Sequence, residues 1–297
     1  MLEGLAAQGD AGALFALGLL RLEGRLLARD LGGARGCFER AAQSGHREAA
    51  RAWASLLAAG TGGVRDWRRA LAVLRDWAGR DPIAGRQLHL IDDMALDEEG
   101  EPAAPPEGER LATRPDVIRI PGLLSVEECR FLIDAAEARL RPALIFHEGR
   151  QSFVRDSVRD SDSAGFPVWA EWPAVHALNR RFAAASGTEV RQGEPLQILR
   201  YRQGQQYRPH HDAVPGLDNQ RILTLIVYLN DDYEGGETEF LKTGFRYRGG
   251  KGDALLFANV DSARAPDPLT THAGRPPTRG EKWILSQWIR DRSPGPG

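Results

Sequence analysis

Hydrophobic positions in the first 90 residues recur at helical spacing. Leu14, Leu17 and Leu20 fall on one face of a helix, and glycine-rich breaks near residues 24 and 60–63 separate successive helices. Shifting this segment by 36 positions superposes like residues, including Gly9 on Gly45, Ala13 on Ala49, Leu20 on Leu56 and Asp30 on Asp66. Such a period is typical of stacked helical hairpins. We therefore predict an α-helical repeat segment over residues 1–90.

Beyond about residue 190 the hydrophobic pattern becomes that of β-strands. Four runs separated by turn residues predict strands: Leu196–Tyr201, Ile222–Leu229, Asp253–Ala258 and Trp283–Ile289. In the last run, positions 283, 285, 287 and 289 alternate against 284, 286 and 288, as expected of a strand with one face toward a cavity. Helical crossovers are lacking between the runs, which favours an antiparallel sandwich or barrel. A capping box from Ser125 to Glu128 predicts a supporting helix before them.

An acidic segment separates the two patterns. Asp92 to Glu109 holds eight acidic residues, three prolines and neither Lys nor Arg, a composition that buries little apolar surface. We expect an α+β multidomain chain with a helical repeat segment at 1–90, an acidic Pro-rich linker at 91–112 and a β-rich domain with supporting helices at 113–293.

Charge and cysteine content exclude several classes of function. The chain has 39 Lys and Arg against 41 Asp and Glu, so it lacks the basic excess that binds nucleic acid. Cys37 and Cys129 are too few and too far apart for a disulfide framework or a thiolate metal cage. Neither a leader-like N-terminus nor a run of about 18 uncharged apolar residues is found. We expect a cytoplasmic protein with no nucleic-acid or membrane partner.

His210, Asp212 and His272 are candidate metal ligands and catalytic residues. In a strand, residues i and i+2 point to one side, so His210 and Asp212 can face one point while His211 points away. His272 lies on a later segment that can return to the same pocket. Two imidazoles and one carboxylate form the facial set expected for iron(II). The bare pattern also fits catalytic zinc or an ordinary His–Asp pairing.

Lys282 is a candidate partner for an acidic cosubstrate. It lies ten residues after His272, at the start of the last predicted strand, beside an otherwise apolar alternation. A lysine there can neutralise the distal carboxylate of a dicarboxylate whose other end binds the metal. An isolated lysine at a strand end is, however, more often solvated.

Five ordered motifs together resemble the prolyl 4-hydroxylase catalytic domain. They are Tyr201-Arg-Gln-Gly-Gln-Gln-Tyr207-Arg-Pro-His210-His-Asp212, Arg221-Ile-Leu-Thr224-Leu-Ile-Val-Tyr228-Leu-Asn, Glu234-Gly-Gly-Glu237-Thr, Lys251-Gly-Asp-Ala-Leu-Leu-Phe257, and His272-Ala-Gly through Lys282-Trp. The similarity extends over roughly residues 113–291. The resemblance implies a double-stranded β-helix, or jelly roll, that oxidises a C–H bond with iron(II), 2-oxoglutarate and O2, with ascorbate as reductant.

The same resemblance assigns roles to individual residues. It implies that His210, Asp212 and His272 hold iron and that Lys282 pairs with the distal carboxylate of 2-oxoglutarate. Tyr201, Thr224 and Tyr228 would line the cosubstrate pocket, although buried tyrosines also serve in ordinary packing. Arg159, Ser161 and Trp288 correspond to positions that contact the peptide substrate.

Two departures from the family pattern concern the substrate. This chain has Arg-Asp-Ser at 159–161 where the family usually has Arg-Thr-Ser, and Arg275-Pro276 where the family has Cys-Pro. We expect residues 149–165, which include Arg150, Arg155 and Asp156, to form a mobile polar loop over the bound chain. The added negative charge of Asp156, Asp160 and Asp162 predicts a preference for prolines flanked by Lys or Arg.

The N-terminal repeats resemble the Sel1-like, tetratricopeptide-related family. The resemblance is carried by an Ala-x-x-Gly motif and by Gly60-Thr-Gly-Gly-Val-Arg-Asp66. It implies an α-solenoid that binds protein partners, but about two copies are present where stacking usually needs about three. A helical cap without a partner is an equal alternative.

Three functions remain open from the sequence. The first is a hydroxylase of prolyl residues in a peptide or protein. The second is a hydroxylase of a free amino acid or small metabolite. The third is a catalytically inactive binding scaffold, which the retention of every metal and dicarboxylate residue disfavours.

Overall fold

Helices dominate the first hundred residues of the chain and strands dominate the remainder. The structure, a computed structural model, describes residues 1–147, 152–155, 158–214 and 216–293. The α-helices in these ranges are α1 (Leu2–Ala7), α2 (Ala11–Glu23), α3 (Leu31–Gln43), α4 (Arg47–Ala59), α5 (Trp67–Trp77), α6 (Pro82–Asp93), α7 (Val126–Glu137) and α8 (Pro173–Ser186).

The strands begin after the acidic segment. They are β1 (Glu109–Thr113), β2 (Asp116–Ile120), β3 (Arg141–Pro142), β4 (Leu144–His147), β5 (Ser152–Arg155), β6 (Asp162–Gly165), β7 (Gln197–Tyr201), β8 (Tyr207–His210), β9 (Arg221–Tyr228), β10 (Glu234–Gly235), β11 (Thr238–Phe240), β12 (Phe245–Tyr247), β13 (Ala254–Ala258), β14 (His272–Gly274), β15 (Pro277–Arg279) and β16 (Lys282–Arg290).

The chain divides into two compact units. The first unit comprises Met1–Ala104 together with Phe166–Arg181, and the second comprises Pro105–Gly165 together with Phe182–Gly297 as far as these ranges are described. The sequence places the boundary in a linker at 91–112. In the structure the first unit also includes Phe166–Arg181. Local sequence patterns do not predict this, because the segment lies more than 60 residues beyond the rest of the unit.

The first unit is built from antiparallel helical hairpins. Asp30 and Asp66, which lie 36 positions apart, cap α3 and α5 by accepting hydrogen bonds from the backbone N–H groups of Gly33 and Arg69. Gly24 and Gly60 end α2 and α4 in the left-handed conformation, which glycine adopts without steric cost. The predicted helices are therefore present, while their membership of the Sel1-like repeat family stays a prediction.

The acidic segment of the first unit is ordered around a buried arginine. Arg180 donates hydrogen bonds to the carbonyl oxygens of Ala58, 2.9 Å away, and Glu99, 2.7 Å away. Its side chain also lies 3.7 Å from the Glu101 carboxylate. Within the same segment, the Asp97 carboxylate accepts hydrogen bonds from the backbone N–H groups of Glu99 and Glu101.

Besides the two-stranded sheets β4-β5 and β10-β15, the second unit contains two main antiparallel sheets. The larger has the order β1-β2-β13-β9-β16-β7-β6-β3 and the smaller has the order β12-β11-β14-β8. Their shared core includes Phe240 from the smaller sheet and Leu199, Tyr228, Leu255 and Ile284 from the larger. This two-sheet architecture is consistent with the jelly roll of a 2OG oxygenase, and the predicted antiparallel pairing is confirmed.

The predicted supporting helix is also present. Ser125 and Glu128 form a complete capping box at the start of α7, and Leu132 and Ala136 are buried on its inner face. The helix ends at Glu137. Across the described ranges, we find no helix with the length and apolar character that crossing a bilayer requires.

Candidate metal and cosubstrate site

The structure brings His210, Asp212 and His272 together. His210 is the last residue of β8 and His272 is the first residue of β14, and the two are cross-strand partners. One ligand atom from each of the three residues lies within 4.8 Å of the others. Asp212 lies in a bend two residues beyond the end of β8, rather than inside a strand as the sequence predicts. It nevertheless faces the two imidazoles.

Backbone carbonyl groups fix both histidine rings for metal binding. Nδ1 of His210 lies 2.8 Å from the Arg208 carbonyl oxygen, and Nδ1 of His272 lies 2.9 Å from that of Thr270. Since a carbonyl oxygen only accepts hydrogen bonds, each Nδ1 must carry a proton, which leaves Nε2 as the atom of each ring that can bind a metal. These two Nε2 atoms lie 3.6 Å from the Asp212 carboxylate oxygens. The donor set therefore fits a divalent transition metal.

Electrostatics keep His210 and Asp212 in their metal-binding protonation states. Burial, reinforced by neighbouring His272, lowers the pKa of His210 to about 3 and holds the ring neutral, although Asp212 opposes the shift. Burial would raise the pKa of Asp212, but His272, His210 and the Thr224 hydroxyl outweigh it and lower that pKa below its usual value. The carboxylate is therefore ionised at neutral pH.

His211 lies outside this group, as its strand position predicts. Its side chain is exposed on the opposite side of the chain, and Nε2 lies 2.9 Å from the Thr271 hydroxyl oxygen. A cavity opens from the three candidate ligands instead. One of its walls is formed by alternate residues of β16, namely Lys282, Ile284, Ser286 and Trp288.

Lys282 is buried in this cavity, with 2% of its surface exposed. Its Nζ donates a hydrogen bond to the neutral Gly236 carbonyl oxygen at 2.7 Å. The rings of Tyr201 and Tyr228 flank it, with centroids 5.7 and 5.5 Å from Nζ. Burial lowers the pKa of Lys282 to about 8, although Glu237 opposes the shift. A buried ammonium with a neutral partner is suited to an anionic ligand.

The three residues predicted to line the cosubstrate pocket take different positions. Tyr201 lines the cavity and is the cross-strand partner of Lys282. Thr224 also lines it, but its hydroxyl donates to Oδ2 of Asp212 at 2.7 Å. The Tyr228 hydroxyl instead lies 3.0 Å from Oγ1 of Thr238, and it is Thr238 that reaches the cavity.

The predicted substrate residues are also separated by the fold. Arg159 and Trp288 line the cavity, and the Arg159 guanidinium lies 5.4 Å from the centroid of the Tyr207 ring. Ser161 is buried, and its backbone carbonyl accepts a hydrogen bond from the Ala143 N–H. Arg159 and Trp288 therefore line the cavity while Ser161 does not, and contact of any of them with a substrate stays a prediction.

Two of the acidic residues predicted to select the substrate, Asp160 and Asp162, already have partners within the protein. Asp162 lies 2.9 Å from both Arg200 and Arg202, and the Asp160 carboxylate accepts a 2.6 Å hydrogen bond from the Gln206 N–H. Gly149, Arg150 and Asp156 lie outside the described residues, as does the side chain of Arg155. The preference for Lys or Arg beside the target proline therefore gains no support from Asp160 or Asp162.

Several residues that shape the site were not predicted from the sequence. The Tyr207 ring stacks on His210 with centroids 3.4 Å apart, and the Phe257 ring meets His272 edge-on at 5.0 Å. The Arg221 guanidinium lies 3.8 Å from the centroid of the Trp288 ring. Asn259 is fully buried beside Thr224. The sequence indicates its burial, because Asn259 directly follows the apolar run of β13. A buried amide needs hydrogen-bond partners, so a role for Asn259 beside the site could have been predicted.

Comparison with known proteins identifies relatives of this chain. Residues 196–290 match the 2OG-Fe(II) oxygenase superfamily. Prolyl 4-hydroxylase 1 of Arabidopsis thaliana is 32% identical over 198 residues, which cover 60% of this chain and 70% of that protein. Probable prolyl 4-hydroxylase 6 of the same organism is 32% identical over 209 residues, which cover 63% and 73%.

A solved structure is also similar. The viral collagen prolyl hydroxylase of Paramecium Bursaria Chlorella virus-1, solved as its 2OG complex, is 30% identical, with a TM-score of 0.47. The similarity covers 59% of this chain and 95% of the viral chain. The superfamily match to this chain contains all three candidate metal ligands and Lys282.

Proposed function

The chain belongs to the prolyl 4-hydroxylase family of 2OG-Fe(II) oxygenases, and we propose that it hydroxylates a prolyl residue in a peptide or protein. The observation that carries this proposal is the single cavity containing His210, Asp212 and His272 together with the buried ammonium of Lys282. These are complementary to a divalent metal and to the free end of a dicarboxylate, as 2-oxoglutarate requires.

The two histidines and Asp212 would bind iron(II) through Nε2, Nε2 and a carboxylate oxygen. When bound, iron(II) supplies the activation of O2, coupled to conversion of 2-oxoglutarate to succinate and CO2, with the second oxygen atom inserted into a C–H bond. The protein residues hold their lone pairs toward one point, because carbonyl hydrogen bonds at Nδ1 orient both rings.

Lys282 would orient the cosubstrate. Its ammonium can donate a charged hydrogen bond to the distal carboxylate, and its burial makes that interaction stronger than in water. Ile226 and Ile284 line the same cavity with apolar surface, which excludes water from the reacting groups. Tyr201 faces Lys282 across the strand pair and would close that end of the pocket.

Arg159 and Trp288 would meet the peptide. Arg159 is held by the Tyr207 ring and by a 3.4 Å hydrogen bond to Gln197, so its guanidinium is ordered beside the candidate metal ligands. Trp288 offers a flat apolar surface on the β16 wall. A guanidinium and an aromatic ring can together hold a main-chain carbonyl and a pyrrolidine ring.

The first unit has a proposed structural role. Trp169 packs edge-on against Phe15 of α2, with ring centroids 6.4 Å apart, and Arg180 binds the end of α4. These contacts support the proposal that the N-terminal helices hold the segment Phe166–Arg181. Binding of a separate protein partner by these helices, and a cytoplasmic location, stay predictions.

Turnover of a defined substrate tests the proposed function. Purified protein is incubated with iron(II), 2-oxoglutarate, O2 and ascorbate, and with proline-containing peptides, matched peptides with alanine for proline, or free amino acids. We expect succinate to form in step with a product about 16 Da heavier, one oxygen atom, on the proline peptides alone. Oxidation of free L-proline with none on any peptide would contradict the peptidyl substrate.

A further inference from the structure

Asn259 lies directly behind the candidate metal site. It follows β13, and its side chain is fully buried. Its backbone is held separately, because its N–H donates to the Ile222 carbonyl at 2.8 Å and its carbonyl accepts from the Asp267 N–H at 3.0 Å. The side-chain amide is therefore available to Thr224, whose Oγ1 lies 2.9 Å from Nδ2 of Asn259.

The hydrogen bonds among Asn259, Thr224 and Asp212 have one favourable direction. Oγ1 of Thr224 lies 2.7 Å from Oδ2 of Asp212 and 3.3 Å from Oδ1 of Asn259, and its one proton cannot serve both acceptors. The carboxylate is nearer and charged, so it takes the proton. The Asn259 N–H group then donates to the hydroxyl oxygen, which completes a chain running from amide to hydroxyl to carboxylate.

This series of hydrogen bonds distinguishes the two oxygens of Asp212. Each oxygen lies 3.6 Å from one histidine Nε2, Oδ1 from that of His210 and Oδ2 from that of His272, but only Oδ2 also accepts the Thr224 proton. We propose that Asn259 and Thr224 are positioning residues that hold Asp212 as a ligand through one oxygen. A single-oxygen ligand leaves more of the metal's coordination positions for cosubstrate and O2. This inference rests on the proposed function, because it assumes that the site binds iron(II).

The direction of donation explains why an amide is suited to position 259. An Asn259→Asp change keeps the size of the side chain but replaces the donor with an acceptor. The new carboxyl group competes for the Thr224 proton and turns it away from Asp212. Asn259→Ala removes the donor without adding a competitor, so it should have the smaller effect. This order is opposite to that expected from lost packing alone, since alanine leaves the larger void.

Iron(II) affinity of the apoprotein, measured by anaerobic titration, tests the inference without turnover. We expect Thr224→Val to weaken binding about 10–100-fold, as is typical when a residue that orients a metal ligand is removed. Thr224→Ser keeps the hydroxyl and should stay within about threefold. Asn259→Ala should weaken binding several-fold, and Asn259→Asp more.

A double-mutant cycle separates relayed positioning from independent effects. If Asn259 acts through Thr224, Asn259→Ala should change affinity less than about twofold in the Thr224→Val background. Thr243→Val is the control, because the Thr243 hydroxyl bonds the backbone of Phe240 and Phe245 instead. Thermal unfolding of each apoprotein checks folding, and if Thr224→Val does not fold, the order of the two Asn259 variants decides.

Specific outcomes would overturn this inference. They are normal affinity in Thr224→Val, fully additive effects in the cycle, or a stronger loss in Asn259→Ala than in Asn259→Asp. In each case the wild-type protein would still bind iron(II) and turn over, so the proposed function would stand. Wild-type protein that binds no iron(II) would overturn both.

Discussion

His210 and His272 are cross-strand partners on β8 and β14, and their ring centroids lie 4.2 Å apart. Pairing of the two strands, rather than a local motif, thus sets the distance between the two nitrogen donors. Asp212 joins them because the chain bends directly after β8. We therefore expect the loss of any one of the three donors to lower the metal affinity of the whole site.

Removal of one donor tests the metal site. We expect His210→Ala, Asp212→Ala or His272→Ala to abolish measurable iron(II) binding, because the two donors that remain hold the metal too weakly against water. Anaerobic titration of the apoprotein measures the affinity. His211→Ala is the matched control and should bind normally, since His211 is exposed and bonds to Thr271. Loss of binding in His211→Ala with retention in His210→Ala would contradict the assignment.

Removal of the buried ammonium tests the cosubstrate site. Lys282→Ala should raise the KM for 2-oxoglutarate at least tenfold, because losing one partner of a buried charged pair costs about 2–5 kcal/mol. Iron(II) affinity should be unchanged. The control is Lys251→Ala, a partly exposed lysine 3.9 Å from Asp231. An unchanged KM would mean that another cation pairs with the distal carboxylate of 2-oxoglutarate. Arg221 and Arg279 are poor candidates, because they are already paired with Glu194 and Glu234.

The pH dependence of cosubstrate binding follows from the same residue. Burial lowers the pKa of Lys282 to about 8, so its ammonium is present below pH 8 and is lost as the pH rises. Because a dicarboxylate binds the charged form, the KM for 2-oxoglutarate should be level below pH 8 and increase above it, by up to tenfold per pH unit. In Lys282→Ala the increase near pH 8 should disappear. If it persists there, another group causes it.

Truncation of Arg159 tests the peptide-binding face. Arg159→Ala should raise the KM for a proline peptide, because the guanidinium lines the cavity and is ordered by Tyr207 and Gln197. We expect an increase of about 10–100-fold, which corresponds to a lost hydrogen bond to a charged group of roughly 1.5–3 kcal/mol. The KM for 2-oxoglutarate should stay within about twofold. Equal increases in both constants would instead indicate a collapsed cavity.

Local sequence patterns predicted part of the arrangement that brings these side chains together. The alternation of β16 predicted a wall facing a cavity, and the spacing of His210 and Asp212 predicted that they share a side. The β16 alternation follows from strand geometry, which spans a few residues, whereas Asp212 reaches His210 through the bend after β8.

Roles that depend on distant packing were harder to predict. Thr224 was assigned to the cosubstrate pocket, yet its hydroxyl donates to Asp212, which the β8 bend brings to it. Tyr228 bonds to Thr238 because the smaller sheet covers β9 at that point. The order within the acidic segment was not predicted, because its compensating arginine, Arg180, lies about 80 residues later in the sequence.

Arg180 provides a stability prediction for the first unit. Its side chain is 1% exposed and binds the carbonyl oxygens of Ala58 and Glu99, so Arg180→Ala leaves buried acceptors without a donor. We expect a loss of about 2–5 kcal/mol in the free energy of unfolding, because each acceptor left without its donor costs about 1–3 kcal/mol. Arg68 pairs with the same acidic segment at Glu98 but is 68% exposed. Arg68→Ala should therefore cost less than about 1 kcal/mol. Denaturant unfolding of both variants measures the difference, and similar losses in the two would show that burial of Arg180 does not anchor the acidic segment.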